Sequence, residues 1–241
     1  MSELPFDSLS EYGLQILSPQ EQGPRQHLVK SSYLLWHDVW SATLAQLDGT
    51  PSLYSDDFSR QDEIVVLTSA EKPIGLVMHR YCNSTCPSVL DDSYFRCWPA
   101  QAKQQITHEG PRLVIGSNIT LHPDFRKSVL QTLPLKRLLA FASLAHLSRQ
   151  SGLIDAITGT MRVDKGMHDL FYSAGAVCLE KNILFHNVSV DLVGFFPKTR
   201  PLNIPKLEDQ LIQQLHENGK RRFQDDGKSA NSKKRPHQRA A

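Results

Sequence analysis

The spacing of apolar positions divides the chain into alternating helices and strands. Apolar residues recur every three or four positions over 27–48, which predicts an amphipathic helix, and a second apolar helix is predicted over 135–150. A strand of about eight residues begins at Arg112 and ends before Pro123, which cannot continue a sheet ladder. The other predicted strands span 12–17, 63–69, 74–81, 153–160, 177–186 and 188–196.

The order of these elements predicts one α/β domain. The strands at 63–69 and 74–81 form a hairpin, whereas a helix joins the Arg112 strand to the strand at 153–160, so we expect these last two to be parallel. The predicted organisation is a flexible N-terminus at 1–11, a domain at 12–200 with an insertion at 82–110, an amphipathic helix at 201–218 and a disordered basic tail at 219–241.

Composition and charge narrow the class of protein. A chain of 241 residues with 40% apolar content can bury one core, and no run of about 18 apolar residues predicts a membrane span. Four cysteines and an acidic N-terminus suggest a cytoplasmic protein. Residues 219–241 contain eight lysines and arginines and two aspartates, which gives this tail a formal charge of +6. Because the whole chain carries +2, the residues before the tail carry −4. A basic tail on an acidic body could contact polyanions.

The region after the Arg112 strand is a candidate site for a phosphate-bearing ligand. A basic loop leads from this strand into the helix at 135–150, and the free N–H groups and dipole of a helix N-terminus favour negative charge.

Two motifs resemble the GNAT acyltransferase superfamily. Residues 121–127 (Leu-His-Pro-Asp-Phe-Arg-Lys) resemble the V-x-P-x-[YF]-R segment that ends the fourth GNAT strand. Residues 170–176 resemble the helix end from which GNAT enzymes draw a tyrosine general acid, although Phe171 takes the family position and Tyr172 follows it. The resemblance covers about 12–196 and implies the GNAT fold, a mixed and mostly antiparallel central sheet flanked by helices, with a parallel strand pair splayed at the thioester site.

The resemblance also implies an N-acyltransferase. Such an enzyme moves an acyl group from an acyl-CoA or an acyl carrier protein to a small amine and holds no permanently bound cofactor. The acidic loop Asp56-Asp57-Phe58 is similar to acyl-homoserine-lactone synthases and long-chain N-acyl amino acid synthases, so we expect an amino acid or signal precursor as acceptor. Of the Glu-x-Ser-Arg motif on their central strand, this chain keeps only Ser117.

Amide formation from a thioester needs a polarised carbonyl and a proton for the departing thiolate. Tyr172 is the predicted acid, and Ser117 and Asn118 are predicted to order a water molecule or hold the amine. Strand alternation places Ser117 and Asn118 on opposite faces, so at most one should face the cleft. His79 and His122 are possible bases, although a histidine inside a strand is more often a hydrogen-bonded core residue.

Two further groups are predicted to bind the substrates. The chain lacks the glycine-rich pyrophosphate loop of GNAT enzymes, so either side-chain cations compensate or the donor presents only a phosphopantetheine arm on a carrier protein. The predicted donor-binding positions are Ile119, Thr120, Leu121, Arg126, Lys127, Lys136 and Arg137. Asp57 and Asp62 are predicted to receive the cationic amine.

Three alternatives remain open from the sequence. The chain could be an acetyl-CoA-dependent N-acetyltransferase of a small molecule or protein, or an inactive GNAT-like module whose tail binds a polyanion. Cys82, Cys86, Cys97 and His108 could hold zinc, but their spacing is not that of a usual zinc knuckle, so we predict no metal site.

Overall fold

The computed structural model describes residues 6–49 and 53–232, with side chains described over 9–49 and 53–222. The strands are β1 (Tyr12–Leu17), β2 (Glu63–Ser69), β3 (Lys72–Asn83), β4 (Arg112–Leu121), β5 (Val129–Leu130), β6 (Leu133–Pro134), β7 (Ala156–Arg162), β8 (Val177–Phe185) and β9 (Val188–Phe195). The helices are α1 (Gln26–Asp48), α2 (Asp56–Ser59), α3 (Pro87–Leu90), α4 (Ala100–His108), α5 (Leu135–Ser148), α6 (Met167–Ser173) and α7 (Lys206–Ser232).

Seven strands form one sheet in the order β1-β2-β3-β4-β7-β9-β8, beside the small β5–β6 hairpin. Every neighbouring pair in the large sheet is antiparallel except β4 and β7, which are parallel because α5 carries the chain from one to the other. The predicted mixed, mostly antiparallel sheet with one parallel pair is therefore confirmed. In the described part of the chain, no helix combines the length and apolarity needed to cross a bilayer.

Helices cover both faces of the sheet. Helix α1 packs on one face of β2 and β3, where the fully buried Trp36 anchors an apolar cluster. Helices α5, α6 and α7 cover the opposite face and share one larger cluster with side chains from β1, β2, β4, β7 and β9. Because both faces are covered, the central strands are buried in continuous runs rather than at alternate positions.

The segment at 82–110 is part of the core. We expected an insertion that lies over a substrate cleft, but Phe95, Trp98 and Ile106 are almost fully buried on the α1 side of the sheet, against β4, β7 and β9. The Trp98 indole also donates to Thr160 Oγ1 at 3.1 Å. This segment therefore covers β4, β7 and β9 on the face where α1 covers β2 and β3.

Helix α7 does not end at Gly219, where the sequence predicted its end, but runs on to Ser232. A side chain at Gly219 would collide with the backbone oxygen of Leu14 on β1. Gly219 therefore permits a close helix–strand approach within a continuing helix, rather than ending the helix. The predicted disorder of the tail concerns residues that lie partly beyond 232, outside the described part of the chain.

Asp155, just before β7, fastens the beginning of the parallel pair. Its carboxylate is 2% exposed and accepts hydrogen bonds from the Arg112 backbone N–H at 2.8 Å and the Arg112 guanidinium at 3.0 Å. Lys198 Nζ lies 2.5 Å from the same carboxylate. Gly110 has φ +140°, and a Cβ there would lie 2.5 Å from Asp155 Oδ2, so the turn before β4 is shaped around this side chain.

We predict that Asp155→Asn lowers the free energy of unfolding at neutral pH by about 2–3 kcal/mol, because charge-assisted hydrogen bonds to a buried carboxylate are lost. The hydrogen bonds from Arg112 hold the pKa of Asp155 below its ordinary value; burial opposes this and Lys198 reinforces it. The contribution is therefore present above the unfolded pKa of about 3.9 and is lost as pH falls through the lower folded pKa.

Urea unfolding of wild type and Asp155→Asn between pH 3 and 8 checks this prediction. The difference between the two proteins should be constant above about pH 5 and shrink below about pH 4. Asp164→Asn, which removes a 41% exposed partner of Arg162, is the control and should change stability by less than about 1 kcal/mol. A difference that does not depend on pH would contradict the assigned role.

Candidate active site

The parallel strands β4 and β7 diverge along their length. They pair at Leu113 with Ala156, Val114 with Ile157 and Ile115 with Thr158, where the register between them ends. Beyond that point β4 runs on to Leu121 along β3, while β7 runs on to Arg162 along β9. A V-shaped gap therefore opens in the middle of the sheet, and backbone N–H groups of β4 on that side have no strand partner.

A β-bulge shapes the β4 side of this gap. Ser117 pairs with Met78 and Thr120 with Leu76, so β4 holds one residue more than β3 over this stretch. Asn118 takes the extra position with φ +53°. Its amide nitrogen lies 3.4 Å from Ser117 Oγ and 3.7 Å from Met78 Sδ. The predicted placement of Ser117 and Asn118 on opposite faces is therefore wrong, because the bulge interrupts the alternation of the strand.

Helix α1 holds the bulge in place. The Trp40 indole N–H donates to Thr120 Oγ1 at 3.0 Å, and this hydroxyl donates to the backbone oxygen of Asn118 at 2.7 Å. Thr120 is fully buried. The unusual backbone at Asn118 is thus supported by a buried hydrogen-bond chain from a helix, and the β4 residues beside the gap are pre-organised.

The two sides of the gap differ in polarity. On the α5 side lies a cavity of about 20 Å³ with an almost wholly apolar lining, which includes Ile119, Leu144, Met161 and Phe171. The one hydroxyl of α5 in this lining belongs to Ser143, which is hydrogen-bonded to His79 Nε2 at 2.7 Å.

On the α4 side the gap is bordered by polar groups. Arg80 of β3 lies beside Ile115 and forms an ion pair with Asp92 at 2.9 Å. The Tyr94 hydroxyl faces Thr158 and Thr160 of β7 and is sealed from solvent. Burial raises the pKa of Tyr94 to about 12. The gap therefore has an apolar cavity on its α5 side and polar side chains on its α4 side.

Comparison with solved structures identifies this architecture. FeeM, an N-acyl amino acid synthase from uncultured soil microbes, aligns with a TM-score of 0.53 and 14% identity over 77% of this chain and 89% of its own. BjaI, a CoA-dependent acyl-homoserine lactone synthase, aligns with a TM-score of 0.53 and 15% identity over 85% of this chain and 89% of its own. The acyl-homoserine-lactone synthase LasI aligns with a TM-score of 0.51 and 13% identity over 76% of this chain and 88% of its own. The chain has the GNAT fold. In sequence it matches no protein-family model and no curated protein.

Within this GNAT fold, Tyr172 lies away from the cavity lining, which contains its neighbour Phe171 instead. The Tyr172 hydroxyl donates to Asp191 Oδ2 at 2.7 Å, and Asp191 is a buried residue of β9. Burial and the hydrogen bonds with Cys178 and Asp191 raise the pKa of Tyr172 well above its ordinary value. The shift by one residue relative to the family motif turns the phenol toward β9.

The predicted donor-binding cations are only partly available. Arg137 forms an ion pair with the buried Glu208 of α7 at 2.7 Å and stacks on Phe141, and Lys136 donates to the Lys165 backbone oxygen at 2.9 Å. Arg126 and Lys127 are exposed. Arg126 contributes to a groove of about 810 Å³ between α1 and the β2–β3 turn, close to the end of β4.

The α5 N-terminus is also less open than predicted. The β5–β6 hairpin, with Gln131 at φ +56°, takes the place of a glycine-rich loop, and the Leu135 N–H already donates to the Ser128 oxygen at 3.0 Å. Of the three β4 positions predicted to polarise the donor, Ile119 lines the cavity, whereas Thr120 and Leu121 are buried beneath α1 and α5 respectively.

The two predicted amine-binding carboxylates are both engaged. Asp57 forms an ion pair with Arg60 at 2.6 Å, which links it toward Asp92 and Arg80 at the polar side of the gap. Burial raises the pKa of Asp57, and Arg60 opposes this. Asp62 accepts the Tyr81 backbone N–H at 2.7 Å and helps to position β3.

Sequence reasoning missed Tyr94 and Arg80. Tyr94 belongs to the 82–110 segment, and Arg80 contacts that segment through Asp92. The motifs at 121–127 and 170–176 do not include this segment, so only the three-dimensional packing brings the two residues to the gap. The four described cysteines are free, and the ligand group that described side chains bring together includes neither a cysteine nor His108.

We predict that Thr120→Val, which keeps the shape but removes the hydroxyl, lowers the free energy of unfolding by about 1–3 kcal/mol, because the Trp40 N–H and the Asn118 oxygen lose their partner. Amide hydrogen exchange at 117–120 should accelerate more than in the rest of the sheet. Thr43→Val is the control, since Thr43 bonds only within α1 to Val39 and its loss should leave exchange in β4 unchanged. Unchanged exchange at 117–120 in Thr120→Val would show that the hydrogen bonds of Thr120 do not hold the bulge in place.

Proposed function

We propose that this protein is an N-acyltransferase that moves an acyl group from a CoA or carrier-protein thioester to a small amine, with an amino acid or signal precursor as the preferred acceptor. The observation that carries the proposal is the bulged gap between β4 and β7, with an apolar cavity on one side and polar side chains on the other. N-acyl amino acid and acyl-homoserine lactone synthases share the fold. A reaction that joins an apolar acyl chain to a charged acceptor needs this division.

In the proposed reaction the thioester lies in the gap, with its acyl end toward the apolar cavity. Those backbone N–H groups at Ile119 to Leu121 that face away from β3 polarise the carbonyl, while the amine approaches from the polar side near Ser117 and Asn118. The amine nitrogen forms a bond to the acyl carbon, the carbon–sulfur bond breaks, and the amine proton leaves through a water held by Ser117 and Asn118. The thiolate then takes a proton from a tyrosine.

We assign that proton to Tyr94, with Tyr172 as the alternative implied by the family motif. The Tyr94 hydroxyl faces the neutral hydroxyls of Thr158 and Thr160, beside the point where the β4–β7 pairing ends. Tyr172 would first have to break its hydrogen bond to Asp191.

Fewer cations are free to meet the donor phosphate than the sequence predicted. Because Lys136 and Arg137 are engaged, Arg126 and Lys127 are the predicted cations left to meet a donor phosphate. A carrier-protein donor, which presents a phosphopantetheine arm, makes a smaller demand on such cations than free CoA.

The cavity size favours a second candidate, an acetyl-CoA-dependent N-acetyltransferase. A volume of about 20 Å³ holds one water-sized group, so an acyl chain longer than acetyl has to displace side chains of the lining.

The test uses purified full-length protein with acyl-CoA donors from two to sixteen carbons, an acyl carrier protein loaded with the same chains, and a pool of amino acids and amines. Thiol release and mass spectrometry of the products identify donor and acceptor together. We expect Tyr94→Phe to lower kcat about 100-fold with little change in KM, and Tyr172→Phe to lower it less than about tenfold. The reverse order would assign the acid to Tyr172. No product from any donor would favour a binding module instead.

We predict that Phe171→Ala shifts the preferred acyl chain to a longer one. Removing this ring enlarges the cavity beside the gap, and each methylene that a pocket accepts or excludes changes kcat/KM by about tenfold or more. The measurement is kcat/KM across the donor series. Phe141→Ala is the matched control: Phe141 is equally buried in the same cluster but does not line the cavity, so the preferred length should not change. An equal shift in both variants would show that the cavity does not select the chain.

A further inference from the structure

Two imidazoles and a carboxylate meet beneath α5, where one of the imidazoles contacts the Ser143 hydroxyl that lines the cavity. Glu63 on β2 and His79 on β3 are directly opposite each other in the sheet, and their side chains point to the face that α5 covers. His146 lies one turn beyond Ser143 on α5 and reaches the same point. One ligand atom from each of the three side chains lies within 4.8 Å of the other two.

The hydrogen bonding of His79 is incomplete. The ring is fully buried; its Nε2 meets Ser143 Oγ at 2.7 Å, but its Nδ1 has no partner among the residues that the structure describes. The His146 ring lies parallel to it, with centroids 6.0 Å apart, and offers no hydrogen bond to Nδ1. A buried nitrogen without a partner is destabilising, so this imidazole lacks a contact that its surroundings do not supply.

The protonation states suit a cation. Burial, with a smaller contribution from His146, lowers the pKa of His79 to about 3, so its ring is neutral at pH 7. Burial raises the pKa of Glu63, but hydrogen bonds from His146 and Tyr81 outweigh it and leave the pKa below its ordinary value. Lone pairs on a neutral imidazole and an ionised carboxylate are what a metal ion requires.

A second layer of side chains orients these three groups. The Tyr81 hydroxyl donates to Glu63 Oε2 at 2.7 Å and lies 3.0 Å from Gln150 Oε1, while Gln150 Nε2 lies 3.0 Å from His146 Nε2. The Tyr81 hydrogen bond is of the kind that orients a carboxylate ligand in known metal sites, whereas a bound metal would replace the Gln150 contact at His146 Nε2.

The cluster is reachable from solvent. His146 lines a groove of about 700 Å³ between β1, α5 and α7. Arg25, Arg149 and Lys220 also line this groove, where water and salt screen their charges, so they weaken but do not prevent the approach of a cation.

We propose that Glu63, His79 and His146 form a zinc site that ties β2, β3 and α5 together. Two imidazole nitrogens and a carboxylate oxygen are a zinc ligand set, with bonds of about 2.0–2.2 Å, and three protein ligands leave a fourth position beside Gln150 for its amide oxygen or for water. The present spread of the ligand atoms requires them to move together by about 1 Å. The site binds the metal independently of acyl transfer.

The experiment measures metal binding by the full-length chain. The protein is stripped with a chelator and titrated with Zn²⁺ against a chromophoric competitor, and with Co²⁺ while its visible absorption is recorded. We expect one Zn²⁺ per chain, a Co²⁺ spectrum without thiolate charge transfer, and a rise in Tm on adding Zn²⁺. Glu63→Gln and His146→Gln should each weaken binding more than about 100-fold, since each removes a direct ligand.

His108→Gln is the control. This exposed histidine belongs to the cysteine-rich pattern rather than to the cluster, so its loss should leave affinity unchanged. Circular dichroism of each stripped variant checks that it is folded, and the Co²⁺ spectrum of wild type reports the ligand type whether or not a variant folds. Absence of stoichiometric Zn²⁺ binding by wild type, thiolate absorption with Co²⁺, or unchanged affinity in a folded Glu63→Gln protein would each overturn the proposal.

Discussion

The hydrogen bonds between Asp155 and Arg112 fix the end from which β4 and β7 diverge. The buried carboxylate of Asp155 accepts hydrogen bonds from the backbone N–H and the guanidinium of Arg112, the first residue of β4. Lys198, just past β9, forms an ion pair with the same carboxylate. Because β4 and β7 are joined at one end and a bulge shapes β4 at the other, the gap between them has the shape of a wedge. The joined end fixes where along the two strands the gap begins.

The opposite end of the wedge is set by a helix on the surface of the sheet. The chain of hydrogen bonds from Trp40 through Thr120 to Asn118 fixes a backbone conformation that the strand alone would not favour. The wedge is therefore supported from two separate parts of the sequence. Its apolar cavity lies on the face that α5 covers, and its polar side chains lie on the face that the 82–110 segment covers.

Periodicity predicted the seven strands of the large sheet and helices α1 and α5, because amphipathic patterns are local and report directly on burial. It did not predict α2, α3, α4 or the β5–β6 hairpin. It failed where a single residue changed the meaning of a pattern. The extra residue at Asn118 reverses the alternation of β4, and Gly219 allows close packing where a glycine usually suggests a helix end. The phenol predicted from a motif one residue out of register, that of Tyr172, points to β9.

Groups that meet through register could not be found from sequence at all. Glu63 and His146 are 83 positions apart, and only the pairing of β2 with β3 and the packing of α5 bring their side chains to 2.7 Å. The same holds for Tyr94, whose position depends on how the 82–110 segment folds onto the sheet.

The close approach of α7 to β1 also bears on self-association. β1 is an outer strand of the sheet, and such strands offer unpaired carbonyls on which another chain can add a strand. Here the Tyr12 oxygen accepts from Asn218, the Ile16 oxygen accepts from Arg25, and the Leu14 oxygen lies beneath Gly219. A glycine that looks like a flaw in a helix thus lets that helix lie over the exposed border of the sheet and deny it to a second molecule as a template for aggregation.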